Sequence, residues 1–317
     1  MALGETAVKT EFLTAAAMSA LLLAACAEPA AETGSTETEA ADDSAAQSEQ
    51  SAAPEAADEA GEAATLADVL ADPRRDEDRA RDEFRNPAET LEFFEVEPSH
   101  TVVEALPGGG WYSRILLPYT EAEGQYMAIN YSMPVYEQLF GERLTDDRRA
   151  SLAAWDETFP ETASEWGGEV EGNFRFGGVP AAFEGQADRV LYIRALHNLA
   201  RTGFMDTAVS DAFDLLKPGG IVGVVQHRAP ADETDERATG ARAYLRQADV
   251  IAAFEAGGFE LVETSEINAN PNDTADYDIG VWALPPSNSG DSDEEDVPPL
   301  QSVGESDRMT LKFRKPE

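Results

Sequence analysis

The sequence predicts an α/β sandwich with a mostly parallel sheet, and three observations carry that expectation. Strand-like runs alternate with helix-like stretches from residue 101 to residue 313, the order expected of parallel strands joined by crossover helices. Ile221-Val222-Gly223-Val224-Val225 is continuously apolar, the pattern of a strand covered on both faces. A third run, Val102-Val103-Glu104-Ala105-Leu106-Pro107-Gly108-Gly109-Gly110-Trp111-Tyr112, is a strand closing on a glycine turn. Three residues without a Cβ let the backbone bend sharply and approach a bound ligand closely.

The elements follow in order. Asp76 to Phe84 is charged and helix-prone, and Asn86-Pro87 reads as an N-cap followed by Pro at the first position of a short helix through Phe94. Thr101–Ala105 is the first buried strand, and the helix launched by the turn runs from Trp111 to Tyr119, with Pro118 as its stop. Gln125 to Tyr131 is a second strand. Residues 134 to 166 are amphipathic and helical in parts, with Leu139, Phe140, Leu144, Leu152 and Trp155 as core positions.

Phe174 to Phe176 is a short strand before Gly177-Gly178, and Ala187 to Ile193 a longer one that ends at Arg194-Ala195-Leu196-His197-Asn198. A helix from Met205 stops at Lys217-Pro218-Gly219-Gly220, where Pro and Gly forbid continuation. Ala248 to Ala256 is a further helix, and Phe259 to Ile267 and Arg308 to Phe313 are strands, separated by a loop that holds the solvated acidic run Asp291 to Asp296. No internal repeat is evident.

Upstream the composition changes. Residues 27–65 contain eleven Asp and Glu, no Lys or Arg, and no Leu, Ile, Val, Phe, Tyr or Trp, so nothing offsets the entropy of ordering, and the segment reads as a disordered acidic tether. Residues 1–26 hold an apolar run, Phe12 to Cys26, too short for a spanning helix and suited to the core of a secretory signal. It ends in Leu23-Ala24-Ala25-Cys26, which resembles the lipobox of bacterial lipoproteins. That resemblance implies lipidation at Cys26, a membrane anchor through the lipid, and a domain facing the periplasm in the cell envelope, with a cytoplasmic protein as the alternative. Cys26 is the one cysteine of the chain, so the mature fold carries no disulfide. Residues 66–317 remain for the domain, about 250 residues and enough for one sizeable core.

Sixty-two acidic residues face 23 basic ones, a formal net charge of −39. Such a surface repels phosphate backbones and argues against nucleic-acid binding. Lys occurs at four positions only, 9, 217, 312 and 315, a balance compatible with a salt-adapted source or with plain solubility charge.

The ordered set of motifs resembles the class I S-adenosylmethionine-dependent methyltransferases. Pro107-Gly108-Gly109-Gly110-Trp111-Tyr112, Arg194-Ala195-Leu196-His197-Asn198, Gln226-His227-Arg228 and Gly304 to Phe313 are more narrowly similar to a group of bacterial predicted methyltransferases, over roughly Leu66 to Pro316. The resemblance implies a Rossmann-like three-layer sandwich, a seven-stranded sheet with its last strand antiparallel, and S-adenosylmethionine as cofactor over the carboxyl ends of the first strands. It implies that Pro107, Gly108, Gly109 and Gly110 turn the backbone toward the methionine part and that Glu104 organises the turn or the amine. Leu106 occupies the place of the first Gly of commoner motifs, which leaves the turn free to take another geometry. Asn130 stands where an acid usually holds the ribose hydroxyls, and it brings hydrogen bonds without charge.

Methyl transfer from a sulfonium is an in-line displacement, so an enzyme contributes positioning and deprotonation of the acceptor. His197 and His227 fall at the ends of the fourth and fifth main strands, as general-base candidates or as residues that hold strand ends in register, and Arg228 is a candidate for orienting an anionic substrate. No cysteine or compact metal spacing supports a rival role for the histidines, and a His/His/carboxylate metal site stands as the lesser alternative. Trp111 and Tyr112 fit a pocket wall and core packing equally. Tyr244 fits a cover over the site or helix packing, and Asp307 and Arg308 fit a structural ion pair. The expected function is methyl transfer to a small molecule or envelope component. The alternative is a non-catalytic ligand-binding lipoprotein on the same fold. A nicotinamide-dependent oxidoreductase fits less well, because the Gly-x-Gly-x-x-Gly order is absent.

Overall fold

Eight strands form one mixed sheet: β1 (Thr101–Ala105), β2 (Gln125–Asn130), β3 (Gly172–Arg175), β4 (Ala187–Ile193), β5 (Leu216–Ala229), β6 (Leu245–Arg246), β7 (Glu260–Ser265) and β8 (Arg308–Arg314). These elements come from a computed structural model that describes residues 64–289 and 300–317. The Cys26 lipobox segment, the tether up to residue 63 and the run Asp291 to Asp296 lie outside the described residues. All described residues belong to the unit Ala57–Glu317.

The spatial order is β3-β2-β1-β4-β5-β8-β7, with the short β6 paired to β5 off this path. β1 pairs parallel with β2 and β4, and β4 parallel with β5. β8 runs antiparallel to both of its neighbours, β5 and β7. The expected seven-strand path with its last strand antiparallel is therefore observed, with β6 as an addition.

Alternating residues feed two separate cores. Val103, Ala105, Val190, Tyr192, Val222 and Val224 pack on one face, covered by α5 (Met133–Phe140), α8 (Leu196–Arg201), α9 (Met205–Leu215) and α10 (Gln247–Ala256). Val102, Tyr126, Ala128, Leu191 and Val225 pack on the other. That face is covered by α1 (Leu66–Leu70), α3 (Pro87–Phe93), α4 (Ser113–Thr120) and α7 (Trp155–Trp166). Both faces being covered explains why all of β1 is buried and why its sequence is apolar apart from Thr101 and Glu104. Gly223 has a packing reason: a Cβ there would lie 2.6 Å from the Phe94 ring.

Several boundaries differ from expectation. Pro118 lies inside α4 rather than ending it. Six of the eight residues of that helix are buried, so packing outweighs the lost backbone hydrogen bond. The helix also begins at Ser113, because Trp111 and Tyr112 belong to the turn. Asp76 to Phe84 is not one helix but a 3-10 turn, Arg79–Arg81, followed by the short α2 (Asp82–Arg85). Arg81 in this segment and Arg85 just after it are spent on tertiary ion pairs with Glu305, while Arg79 pairs locally with Asp76. Asn86 adopts a left-handed conformation (φ 42°) between α2 and α3 and donates from Nδ2 to the Ile267 carbonyl at 2.8 Å, so its side chain does not cap the helix. Residues 134 to 166 resolve into α5, α6 (Asp146–Ala153) and α7, with Leu144 buried and Leu139, Phe140, Leu152 and Trp155 half-buried at the core margins.

Candidate functional site

The carboxyl ends of β1, β2, β4 and β5, with the start of β8, surround a cavity of about 650 Å³, within the roughly 300–1,000 Å³ usual for small-molecule sites. Its floor is the turn after β1. Leu106 there has φ 59°, Gly108 φ 57° and Gly110 φ 78°. Leu106 thus takes the left-handed conformation that glycine adopts freely, at a cost of order 1 kcal/mol. Its amide is held by the Ile129 carbonyl at 2.8 Å, and Gly110 N donates to Pro107 O at 2.9 Å. A non-glycine residue at this position is thus accommodated in a left-handed backbone.

The glycines divide by role. A Cβ on Gly109 would meet nothing within 4 Å, and one on Gly108 only the Leu106 carbonyl at 3.7 Å. Both line the cavity, as do Pro107 and Glu104. Gly110 faces the other way, where a Cβ would lie 2.6 Å from the Trp166 ring. Glu104 lies beneath the turn and accepts hydrogen bonds from Tyr126 Oη at 2.6 Å and Ser113 Oγ at 2.7 Å. Burial pushes its carboxyl up to about 7 in spite of those two donors. Asn130, at the end of β2, accepts on Oδ1 from Tyr131 N at 2.8 Å and Tyr136 Oη at 2.9 Å. That arrangement fixes the amide orientation and leaves Nδ2 as a donor on the cavity side.

Across the cavity, His197 stands in the first turn of α8 and His227 near the end of β5, their ring centres 5.8 Å apart. Burial lowers His197 to about 4. Gln226 lies close enough to favour its protonation, but the Gln226 amide is engaged by Leu196 N and the Ala243 carbonyl, and His197 Nδ1 is left without a hydrogen-bond partner. His227 is lowered well below its ordinary value by burial and then by His197 and the nearby arginines, and its Nδ1 lies 2.5 Å from Ser306 Oγ. Both imidazoles are neutral near neutral pH and can accept a proton. Trp111, Trp155 and Trp282 contribute aromatic wall, and Trp111 is buried as well, so it serves pocket and core together.

Arg228 is placed elsewhere. It does not line the cavity, and its guanidinium forms paired bonds with Asp307 (2.8 and 3.0 Å) and Glu266 (2.8 and 2.7 Å). Those carboxylates raise its pKa further. Asp307 and Arg308 are both ion-paired, but not to each other: Arg308 binds Glu305. Tyr244 is fully buried, 6.2 Å from the His227 ring, and donates to Asp273 from a loop rather than packing on a helix.

Sequence reasoning did not assemble the arginines. Arg81, Arg85, Arg194 and Arg308 all line the cavity, around the single carboxylate of Glu305. They come from three chain regions more than a hundred residues apart, and only the motifs containing Arg194 and Arg308 hinted at them. Among the described residues no group of three His, Cys, Asp or Glu is arranged to hold a metal ion, and no helix is long and apolar enough to cross a membrane.

No family model and no curated protein matches the chain. Solved structures match in fold. The N-methyltransferase NodS from Bradyrhizobium japonicum is 15% identical, with 77% of this chain and 99% of that chain covered and a TM-score of 0.41. A SAM-dependent methyltransferase from Aquifex aeolicus is 16% identical, covering 64% and 93%, with a TM-score of 0.41. The [4+2]-cyclase SpnF is 15% identical, covering 73% and 80%, also at 0.41. The likeness is one of fold. A shared fold does not by itself assign a reaction.

Proposed function

We propose that this chain is an S-adenosylmethionine-dependent methyltransferase acting on a small molecule. One observation carries the reading: the left-handed glycine turn after β1 opens toward a ligand-sized cavity, in a sheet whose antiparallel β8 lies between β5 and β7. The residues present fit the cofactor. Gly108 and Gly109 leave a cradle that any Cβ would fill, Asn130 Nδ2 is a free donor for a ribose hydroxyl, and Glu104 braces the turn through Ser113 and Tyr126. When bound there, the cofactor supplies an electrophilic methyl group on a sulfonium. His197 and His227 hold the neutral imidazoles able to take the proton released by an oxygen or nitrogen acceptor. Arg228, committed to Asp307 and Glu266, acts as a structural cation in this reading.

A second reading, a ligand-binding protein without turnover, is favoured by one observation. An imidazole pushed to about 4, as His197 is, makes a weak base. Calorimetric titration of the full chain with S-adenosylmethionine and S-adenosylhomocysteine tests both. Saturable binding that Gly109→Val abolishes, with the thermal midpoint unchanged, supports the cofactor site. No binding at millimolar ligand refutes it, and binding without methyl transfer to any acceptor in a small-molecule panel favours the second reading. The envelope location is part of the proposal, with lipid at Cys26 and the acidic segment as tether. Cys26→Ser is expected to move the protein from the membrane fraction to the soluble one, and retention in the membrane would refute the anchor.

A further inference from the structure

In a chain of net charge −39, the cavity holds an excess of positive charge. Arg81 Nε donates to Glu305 Oε1 at 2.6 Å, Arg85 Nε approaches both Glu305 oxygens at 3.2 and 3.3 Å, and Arg308 completes the set around the same carboxylate. Burial works against ionisation of Glu305, but Arg308, Arg85 and Arg81 overcome it and keep the carboxyl below its ordinary value. One negative charge therefore serves three guanidinium groups. The other acids of the lining are Asp78, taken by Arg114 at 2.6 and 3.0 Å, and Glu104, which lies beneath the turn on Ser113 and Tyr126.

Arg85 is only 3% exposed, yet both of its terminal nitrogens lack a hydrogen-bond partner. Arg194 is a fourth cation, with no side-chain partner among the described residues. It follows β4 with φ 56°, its amide held by the Val225 carbonyl at 2.6 Å, and its buried Nε is likewise unbonded. Guanidinium groups stay charged at neutral pH, and buried unpaired donors are costly. Arg308 is paired in register with His227, and Arg194 stands three residues before His197. The unsatisfied donors thus lie on the β4, β5 and β8 side of the cavity, away from Asn130 at the end of β2.

We infer that Arg85 and Arg194, with Arg81 and Arg308, form an oxyanion subsite that takes a carboxylate or phosphate group of the methyl acceptor. The inference rests on the methyltransferase reading for the word acceptor, but not for the anion. A planar fork of donors suits the two oxygens of such a group, and the bound anion neutralises the surplus charge that Glu305 leaves. The acceptor is thereby held by its anionic end while its nucleophilic atom faces the histidine pair.

The test is calorimetric titration of the full chain with inorganic phosphate, alone and with saturating S-adenosylhomocysteine. Phosphate is expected to bind in both conditions. Arg194→Gln is expected to weaken phosphate about tenfold or more through loss of a charge-assisted hydrogen bond, and Arg194→Lys to recover part of the loss. Arg194→Gln should leave S-adenosylhomocysteine affinity unchanged and should not lower the thermal midpoint, since the side chain has no protein partner to lose. Absence of phosphate binding, or binding indifferent to Arg194→Gln, overturns the subsite. Displacement of phosphate by S-adenosylhomocysteine overturns it too, by assigning the arginines to the cofactor carboxylate. Phosphate binding that depends on Arg194 in a protein that fails to bind S-adenosylhomocysteine keeps the anion subsite and removes the methyltransferase reading.

Discussion

Replacing Glu104 by Gln should change the pH dependence of stability in a calculable way. The carboxyl is buried under the ligand turn, and burial moves its pKa from 4.5 to about 7. In the unfolded chain it ionises near its ordinary value. Between those two values the native state holds a proton that the unfolded state has released, so stability falls as pH rises through this window. The contribution is fully present below 4.5 and lost above about 7. At about 1.4 kcal/mol per pH unit, the loss between pH 5 and pH 8 is about 2 to 3 kcal/mol. Gln preserves the shape and accepts from Ser113 and Tyr126 without titrating, so the parent protein should lose that amount relative to Glu104→Gln over the same range. Urea unfolding of both proteins at several pH values reads it directly, as a relative shift of about 1 M in midpoint for a domain of this size. Parallel stability curves would refute the reasoning, because they would mean that Glu104 titrates alike in both states.

Three further outcomes follow from geometry. Gly110→Ala puts a Cβ 2.6 Å from the Trp166 ring at φ 78°, and should cost about 1 to 3 kcal/mol in denaturant unfolding. A stability equal to that of the parent would show that the turn does not require glycine there. Glu305→Gln removes the carboxylate shared by Arg81, Arg85 and Arg308, and should cost about 3 kcal/mol or more, with added phosphate raising the thermal midpoint of the variant more than that of the parent. Arg228→Ala breaks the pairs to Asp307 and Glu266 and should cost about 1 to 2 kcal/mol while leaving S-adenosylhomocysteine affinity unchanged. A large loss of affinity would return Arg228 to the site.

Much of the sheet is legible in the sequence because its strands are short apolar runs whose identity depends on local composition. Val102-Val103 and Ile221 to Val225 would suit few other structures. The glycine turn is legible for the same reason, although the division between Gly109 open to the cavity and Gly110 closed on Trp166 depends on a helix fifty-odd residues away. Pro118 misleads because local propensity ends a helix that tertiary burial continues. The histidine pair can be read from strand ends, since those ends converge in any parallel sheet. The arginine cluster cannot: Arg81 and Arg85 belong to a segment whose course over the cavity follows from tertiary ion pairs with Glu305, some 220 residues later. Arg228 reads as a site residue from its position next to His227, yet β5 alternation turns it toward Asp307 and Glu266 instead.

The position of β8 has a consequence for how the protein is made. Arg308–Arg314 follows every other strand of the sheet in chain order, yet it occupies an interior place in the sheet, with Leu311 and Phe313 in register with Val224 and Val222 on one side and with Thr264 and Leu261 on the other. Until it arrives, both β5 and β7 present unpaired edges, and the β5 edge is among the most apolar stretches of the chain. The domain cannot close progressively from its amino end. The sheet is completed only when β8 docks, and a chain arrested or clipped before Arg308 would carry two open strand edges ready to pair with a neighbour rather than a slightly shortened version of the native fold.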